Sequence, residues 1–201
     1  MSNKFVTADH HFFHEGIISH CNRPFTKFND RGEIVPDVPS MNQTMLERWN
    51  SVVRPNDIVY YLGDMFYKGH TKDCEGIVDQ LNGQIYFVRG NHDQVAKKFK
   101  HRFLSWGDML EVKQDGQLLV LCHYALRVWN KSHVGSYHVY GHSHGQLPED
   151  PNSLSFDIGV DCWNFFPVSL DEVFQKMKQK ESARGENRLE TRPQDQARTA
   201  D

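Results

Sequence analysis

The sequence predicts an α/β fold, and two observations carry this prediction. Strand-like apolar runs alternate with amphipathic helical patterns through the first half of the chain, in the order strand, helix, strand, helix, strand. Polar side chains able to bind a metal follow directly after each of these strands. Open α/β sheets place their functional sites at the carboxyl ends of the strands, so the same pattern predicts where the site lies.

The composition is that of a globular protein with a single core. The chain has 201 residues, 38% of them hydrophobic, and its formal net charge of -3 provides no overall positive field for nucleic acid. Its 12 histidines are unusual, and His is the commonest metal ligand. The four cysteines form no C-x-x-C pair, which favours reduced thiols, and no long apolar run or secretory leader is visible. We therefore expect a cytoplasmic protein.

The first strand is predicted at residues 5–8, and Asp9 and His11 follow it. On an extended backbone, residues separated by one position project to the same side, whereas His10 would point away from Asp9. A carboxylate and an imidazole on one side form half of a metal site. His14 opens a short helical pattern and is expected to cap that helix.

An irregular loop is predicted at residues 21–39, because it contains three prolines and a turn cluster. Arg23 in this loop is a candidate clamp for a substrate phosphate, with a surface arginine held by local packing as the alternative. Ser40 and Gln43 form a capping box at the start of a core helix that Pro55 ends.

Two further strands are predicted at residues 58–62 and 85–88, with a helix at residues 71–82 between them. Asp64 follows the first of these strands, and the run Gly-Asn-His-Asp at residues 90–93 follows the second. A further helix is expected after this run.

The run at residues 90–93 combines three chemically different side chains. Asn91 offers a carbonyl oxygen, His92 an imidazole that can bind a metal or move a proton, and Asp93 a carboxylate that can orient the His92 ring. Because Gly, Asn and Asp are all turn formers, a simple turn is the alternative.

The second half of the chain changes character. Asp115-Gly116 predicts a hairpin between residues 110–113 and 118–121, and His123 follows its second strand. A strand at residues 137–140 ends before His142 and His144, and sheet segments at residues 155–160 and near 168 precede a closing helix that begins near Leu170. We expect a domain at residues 1–178 and a disordered polar tail at residues 179–201.

The polar residues at the strand ends form one set: Asp9, His11, Asp64, Asn91, His92, Asp93, His123, His142 and His144. This set has too many ligands for one tetrahedral metal. It suits two divalent metals that share a bridging carboxylate, the arrangement that holds both the attacking and the leaving oxygen in phosphoryl displacement.

These motifs resemble the calcineurin-like metallophosphoesterase superfamily. The similar segments are D-x-H at residues 9–11, G-D at 63–64, G-N-H-D at 90–93, His123 after a strand, and G-H-x-H at 141–144. They follow the order of the family and span residues 5–180. The phrases at residues 21–25, 126–130 and 161–163 resemble small single-domain members often found in bacteria and phages.

The resemblance implies a four-layer α/β/β/α sandwich of two mixed β-sheets flanked by helices. It assigns the first metal to Asp9, His11 and His144, and the second to Asn91, His123 and His142, with Asp64 bridging. It implies that His92 protonates the leaving group or binds the phosphate, and that Asp93 orients the His92 ring.

The implied function is a metal-dependent phosphoric ester hydrolase. The substrate would be a small phosphomonoester or phosphodiester, a nucleotide being the favoured example, attacked by a hydroxide that bridges two divalent ions. Manganese is expected first, and iron, nickel or zinc also suit mixed oxygen and nitrogen ligands. Asn91, Arg23 and Arg127 are the candidate substrate contacts.

Two alternatives stay open at this point. The first is a metal-binding scaffold without catalysis, which the presence of His92 disfavours, because a scaffold needs no proton donor. The second is a nuclease that processes nucleic-acid ends, for which residues 97–102 form the one visible basic cluster. No membrane partner is expected.

Overall fold

Two mixed β-sheets form the centre of the fold in the computed structural model, which describes residues 2–190. The strands are β1 (Lys4–Thr7), β2 (Thr26–Phe28), β3 (Ile34–Pro36), β4 (Ile58–Tyr61), β5 (Gln84–Val88), β6 (Ser105–Gly107), β7 (Met109–Gln114), β8 (Gln117–Cys122), β9 (Tyr137–Tyr140), β10 (Ser155–Asp157) and β11 (Val168–Ser169). The α-helices are α1 (Glu15–His20), α2 (Val38–Val52), α3 (Thr71–Gln80) and α4 (Leu170–Glu190). Short 3-10 helices cover Ala96–Arg102, Ser132–Val134 and Val160–Cys162.

The first sheet has the order β11-β1-β4-β5-β6 and the second the order β10-β9-β8-β7. In the first sheet β1, β4, β5 and β6 are parallel and β11 is antiparallel. In the second, β7 and β8 form the predicted antiparallel hairpin, and β8, β9 and β10 are parallel. The carboxyl ends of β1, β4 and β5 therefore lie at one edge of the first sheet, where the polar residues follow.

Each face of the first sheet is buried in its own core. Val59 and Phe87 point to one face and pack with Trp49 of α2, whereas Leu62 points to the other face and packs with Leu121 of the second sheet. The inter-sheet core is closed by α4, and the helices α1, α2 and α3 contribute to the other core. This confirms the predicted fold of two packed mixed sheets flanked by helices.

The predicted irregular loop contains an antiparallel hairpin, β2–β3, which the sequence pattern missed. Phe28 and Ile34 pair across this hairpin and are both largely exposed. Because neither strand buries one face, the alternation of apolar and polar residues that marks a half-buried strand is absent.

The start of α2 also differs from the prediction. The helix begins at Val38, and the Asp37 carboxylate accepts a hydrogen bond from the Ser40 backbone N–H at 3.3 Å. Pro39 occupies the first turn, where a proline fits because its missing N–H has no intrahelical partner there. The predicted capping box at Ser40 and Gln43 is therefore wrong.

The last helix continues past the predicted end of the domain. Within α4, Lys180 Nζ lies 2.8 Å from Glu149 Oε2, and the Tyr137 hydroxyl donates to Glu181 Oε2 at 3.1 Å. Residues 179–190 belong to α4, whereas the sequence pattern predicted a disordered tail from residue 179. Residues 191–201 lie outside the described residues, and the division into a domain and a tail stays a prediction.

Two further features of the sequence, its cysteines and its lack of a long apolar run, can be compared with the structure. All four cysteines, Cys21, Cys74, Cys122 and Cys162, are free thiols, as predicted. Along residues 2–190, no helix combines the length and the apolar character needed to cross a bilayer.

Candidate metal centre

The predicted ligands come together in two neighbouring groups at the strand ends. The first group is Asp9, His11 and His144, and the second is Asp64, His123 and His142. Within each group, one potential ligand atom from each residue lies within 4.8 Å of the others. These are candidate metal-binding groups: the first has the members of the first ligand set that the resemblance implied, and the second joins Asp64 to His123 and His142 of the second set.

Asp64 belongs to the second group and also lies next to His11 of the first group. Its Oδ2 atom is 3.5 Å from His11 Nε2 and 3.6 Å from His123 Nε2, while its Oδ1 atom accepts the His92 backbone N–H at 2.8 Å. Two ligands around one metal, each about 2.0–2.2 Å from the ion, are about 3–3.5 Å apart. One oxygen of Asp64 thus has nearly the spacing required to serve a metal in either group.

The ligands are presented by turns in which five non-glycine residues have left-handed backbone angles. These are Asp9 (φ 63°), His11 (φ 50°), Asp64 (φ 57°), His142 (φ 65°) and His144 (φ 48°). Such angles cost energy and persist where surrounding structure enforces them, most often at functional sites. The sequence-based prediction grouped these residues by strand alternation, whereas the structure brings them close together through turns beyond the strands.

Backbone hydrogen bonds hold these turns against one another. The Asp9 N–H donates to the Gly63 carbonyl and the His11 N–H donates to the Asp64 carbonyl, both at 3.0 Å. The His142 N–H donates to Asp9 Oδ2 at 2.8 Å, which ties the turn after β9 to the turn after β1. The ligand groups are therefore positioned by the backbone before any metal binds.

Buried polar atoms in the first group lack partners. Within residues 2–190, Asp9 Oδ1 and both ring nitrogens of His11 are buried and make no hydrogen bond. Unpaired buried polar atoms are costly, and a cation that accepts their lone pairs would remove this cost. Carboxylate oxygens and imidazole nitrogens together suit a divalent transition metal, so the residues present fit the metals that the family binds.

Burial shifts the pKa values of several of the candidate ligands. Burial lowers the pKa of His123 to about 4 and also depresses the pKa of His11, which leaves both rings neutral, as metal ligation requires. Burial raises the pKa of Asp9 well above its usual range, against the attraction of His144 and with repulsion from Asp64 adding to it. A bound cation would reverse the shift of Asp9.

The tautomer of His123 is set by the backbone. Its Nδ1 atom lies 2.7 Å from the Leu62 carbonyl oxygen, which can only accept, so Nδ1 carries the proton. Its Nε2 atom then faces Asp64, and Asn91 Oδ1 lies 3.0 Å away from it. Asn91 is thus placed beside the second group, as predicted for a ligand or substrate contact.

His92 lies at the edge of the site and is half-buried. Its ring is 5.6 Å from the His11 ring and 5.1 Å from the Tyr67 ring, both measured between centroids. This places a partly solvent-accessible imidazole beside the ligand groups.

Asp93 does not orient the His92 ring, contrary to the prediction. Its buried carboxylate accepts three backbone N–H groups, from Asp64 at 2.9 Å, Gly90 at 2.6 Å and Met65 at 3.0 Å. The carboxylate therefore fastens the turn after β4 to the turn after β5. Its role is to hold the backbone of Asp64 and Met65.

Arg23 is not available as a phosphate clamp. It is 2% exposed, and its guanidinium donates to the carbonyls of Asp9 and His10, to both oxygens of Asp161 and to Met41 Sδ. All five of its N–H groups thus point into the protein, which corrects the predicted substrate contact.

Arg127 is exposed and lines a cleft of about 260 Å³ together with Tyr140, Leu147 and Asp150. It belongs to neither ligand group. Its proposed contact with substrate stays a prediction. His10, as predicted, points away from the ligands: its Nδ1 lies 2.9 Å from the Tyr61 hydroxyl.

Three residues at the site, His14, Tyr67 and Asp161, were given no role there by the sequence analysis. His14 makes no capping hydrogen bond, and its ring stacks on Tyr67 at 3.8 Å. Burial lowers the pKa of His14 to about 4. The Asp161 carboxylate accepts a hydrogen bond from the His144 ring at 2.7 Å. Their contacts join distant parts of the chain, so no local spacing could have indicated them.

A cleft of about 190 Å³ adjoins the second group. It is lined by Gly90 and Asp93, and by the larger side chains of Lys97, Trp106 and Tyr124. The Tyr124 ring also contacts the His142 ring edge-on, with the centroids 5.0 Å apart. The cleft offers an aromatic and partly basic surface beside the ligands.

The fold and the site together define a class: an α/β protein with two mixed sheets and candidate metal-binding groups where the strands end. The chain belongs to the calcineurin-like phosphoesterase superfamily, whose domain matches residues 34–159. The first D-x-H motif precedes this matched region, and the structure brings it to the same site.

Relatives extend the similarity over nearly the whole chain. An uncharacterized protein of Methanocaldococcus jannaschii is 31% identical and is matched over 94% of this chain and 99% of its own length. The gene 66 protein of Mycobacterium phage L5 is 23% identical over 87% of this chain and 93% of its own. The crystal structure of a protein of unknown function from Aquifex aeolicus has the same fold, with a TM-score of 0.63 at 20% identity, covering 87% of this chain and 99% of that one.

Proposed function

We propose that this protein is a two-metal phosphoesterase that hydrolyses a small phosphomonoester or phosphodiester. The observation that carries the proposal is the position of Asp64 Oδ2, within 3.6 Å of a histidine nitrogen from each ligand group. One carboxylate oxygen shared between two groups of three ligands is what a pair of neighbouring divalent ions requires. Manganese is the proposed metal, with iron, nickel or zinc as other members of the same ligand class.

The proposed first site is formed by Asp9, His11 and His144, and the second by Asn91, His123 and His142, with Asp64 shared. When bound, two divalent ions supply a water nucleophile that is ionised near neutral pH and positive charge that offsets the phosphate. The chain itself supplies the orientation of these ligands, through the left-handed turns and the carboxylate of Asp93.

His92 is the proposed proton donor to the leaving oxygen. It is the half-buried imidazole at the edge of the ligand groups, and its backbone N–H bond to Asp64 Oδ1 fixes its position relative to the bridging residue. General acid catalysis of this kind contributes about 10²–10⁴-fold to a rate. Asn91, beside His123, is positioned to contact the phosphate as well.

The adjoining cleft supports a substrate with an aromatic organic group. Tyr124 and Trp106 offer rings on which a base can lie, and Lys97 offers a positive charge. A nucleotide combines these features and is the proposed substrate class. The exposed basic 3-10 helix Ala96–Arg102 lies on the same side, which also favours a nucleic-acid end as a second candidate.

The proposal is tested with metal-stripped protein that is reloaded with manganese. Hydrolysis of bis-p-nitrophenyl phosphate is compared with hydrolysis of p-nitrophenyl phosphate, which separates diesterase from monoesterase activity. We expect His92→Ala to retain two metal ions and to lose about 10²–10⁴-fold in kcat. His133→Ala, a substitution of an exposed histidine in the 3-10 helix Ser132–Val134 that belongs to neither ligand group, is the matched control.

Several outcomes would decide between functions. Full activity of His92→Ala would remove His92 from the mechanism. Cleavage of single-stranded oligonucleotides from one end, with no cleavage of mononucleotides, would favour the nuclease. Two bound metals without hydrolysis of model esters, nucleotides or oligonucleotides would favour the non-catalytic scaffold.

A further inference from the structure

The ring of His144 is hydrogen-bonded to the carboxylate of Asp161. Its Nδ1 atom lies 2.7 Å from Asp161 Oδ2, and because a carboxylate can only accept, Nδ1 carries the proton. In the neutral imidazole that a metal requires, Nε2 is then the nitrogen without a proton and can bind a metal beside Asp9 and His11. Histidine ligands in metalloproteins commonly rely on such a partner to fix the tautomer and the ring orientation.

Arg23 holds this carboxylate in turn. Its Nε donates to Asp161 Oδ1 at 2.7 Å and its Nη2 donates to Asp161 Oδ2 at 2.8 Å, a two-point contact between planar groups. The side chain of Arg23 is fully buried and that of Asp161 is 8% exposed. The pair is therefore shielded from solvent, where an ion pair of good geometry keeps a single orientation.

The same guanidinium also reaches the turn that carries the first D-x-H motif. It donates to the backbone carbonyls of Asp9 at 2.8 Å and His10 at 2.9 Å. Arg23 thus connects both arms of the first ligand group, one through the backbone of Asp9 and the other through Asp161 and His144. No comparable arginine contacts the second group among the described residues.

Cys21 lies close to the same pair, and Cys21, His144 and Asp161 have the spacing of three metal ligands. We interpret this group as a support and not as a third metal site. Both oxygens of Asp161 already bind the Arg23 guanidinium, so a permanent cation occupies the place that a metal would take.

We infer that Asp161 and Arg23 are positioning residues for the first metal: Asp161 sets the tautomer and orientation of His144, and Arg23 locks Asp161 and the Asp9 turn together. The inference rests on the proposed two-metal function and deepens it. It gives a role to the segments at residues 21–25 and 161–163, which contribute no ligand to the proposed site.

The test is manganese binding to the full chain, measured by calorimetric titration and by electron paramagnetic resonance. We expect Asp161→Asn to lower the affinity for one of the two ions by about 10–100-fold and to leave the affinity for the other unchanged. At a load of two ions per chain, the spectrum should change from that of a coupled pair toward that of isolated ions. Arg23→Lys, which keeps the charge but loses the two-point contact, should lower the affinity for the same ion.

Asp57→Asn is the matched control. Asp57 is a buried carboxylate that accepts two backbone N–H groups, from Asn3 and Arg54, at the amino-terminal end of β4, away from the ligands. It should lower stability without changing the affinity for either ion. Equal weakening in Asp57→Asn and Asp161→Asn would overturn the inference, because loss of stability alone would then explain the effect.

The remaining outcomes separate this inference from the proposed function. Wild-type affinity for both ions in Asp161→Asn would overturn the inference and leave the two-metal function standing. Binding of fewer than two ions by the wild-type chain would overturn the two-metal function, and the inference with it.

Discussion

Replacing Asp93 with Asn tests whether this carboxylate supports the backbone or orients the His92 ring. The carboxylate accepts N–H groups from Asp64, Gly90 and Met65, and asparagine has only one oxygen with which to replace two. If that oxygen keeps the bonds from Asp64 and Gly90, the amide NH₂ group must face the Met65 N–H, and two donors then oppose each other.

The expected loss follows from these bonds. A buried N–H left without an acceptor costs about 1–3 kcal/mol. The two retained bonds change from charged to neutral acceptors, which adds about 1 kcal/mol. We therefore expect Asp93→Asn to lower the free energy of unfolding by about 2–4 kcal/mol, with a Tm lower by roughly 2–4 °C per kcal/mol for a chain of this size.

Urea denaturation of chelator-treated protein at neutral pH measures this loss. Asp108→Asn, at a largely exposed aspartate paired with Arg89, serves as the control and should cost less than about 0.5 kcal/mol. The reasoning is refuted if Asp93→Asn has wild-type stability and the same loss of kcat as His92→Ala. That result would mean that Asp93 acts on the His92 ring.

Two further predictions concern packing and pH. A methyl group at Gly63 (φ +89°) would lie 2.7 Å from Gly90 Cα, so we expect Gly63→Ala to cost about 2–4 kcal/mol in thermal denaturation. Gly116→Ala, with φ +83° and open space around it, should show only the smaller backbone cost, and equal losses would contradict the close approach. Burial lowers the pKa of His10 from 6.5 to about 3, so its contribution to stability is complete above pH 6.5 and is lost as the pH falls toward 3. In urea denaturation with chelator, the stability of wild type relative to His10→Phe should fall by up to about 1.4 kcal/mol per pH unit in that range, and a constant difference would contradict this.

The sequence by itself determined β1, β4 and β5 of the first sheet, the β7–β8 hairpin and the residues gathered at the strand ends, whereas β6 was not predicted. These features depend on short-range patterns: buried runs, turn residues and the chemistry of side chains next to them. Asp9, Asp64 and Asn91 could be placed at one site because the parallel strands β1, β4 and β5 bring their carboxyl ends to one edge of the sheet. Their role as metal ligands remains a proposal that metal titration tests.

Only the tertiary structure decided what Asp93 and Arg23 contact. Asp93 binds backbone N–H groups in the turn after β4, 28 or 29 residues earlier in the chain, and Arg23 pairs with Asp161 across 138 residues. The exposed β2–β3 hairpin likewise has no buried face to mark it in the sequence. Local patterns report burial and turn chemistry, whereas the partner of a polar side chain is chosen by which distant segments the packed sheets bring within hydrogen-bonding distance.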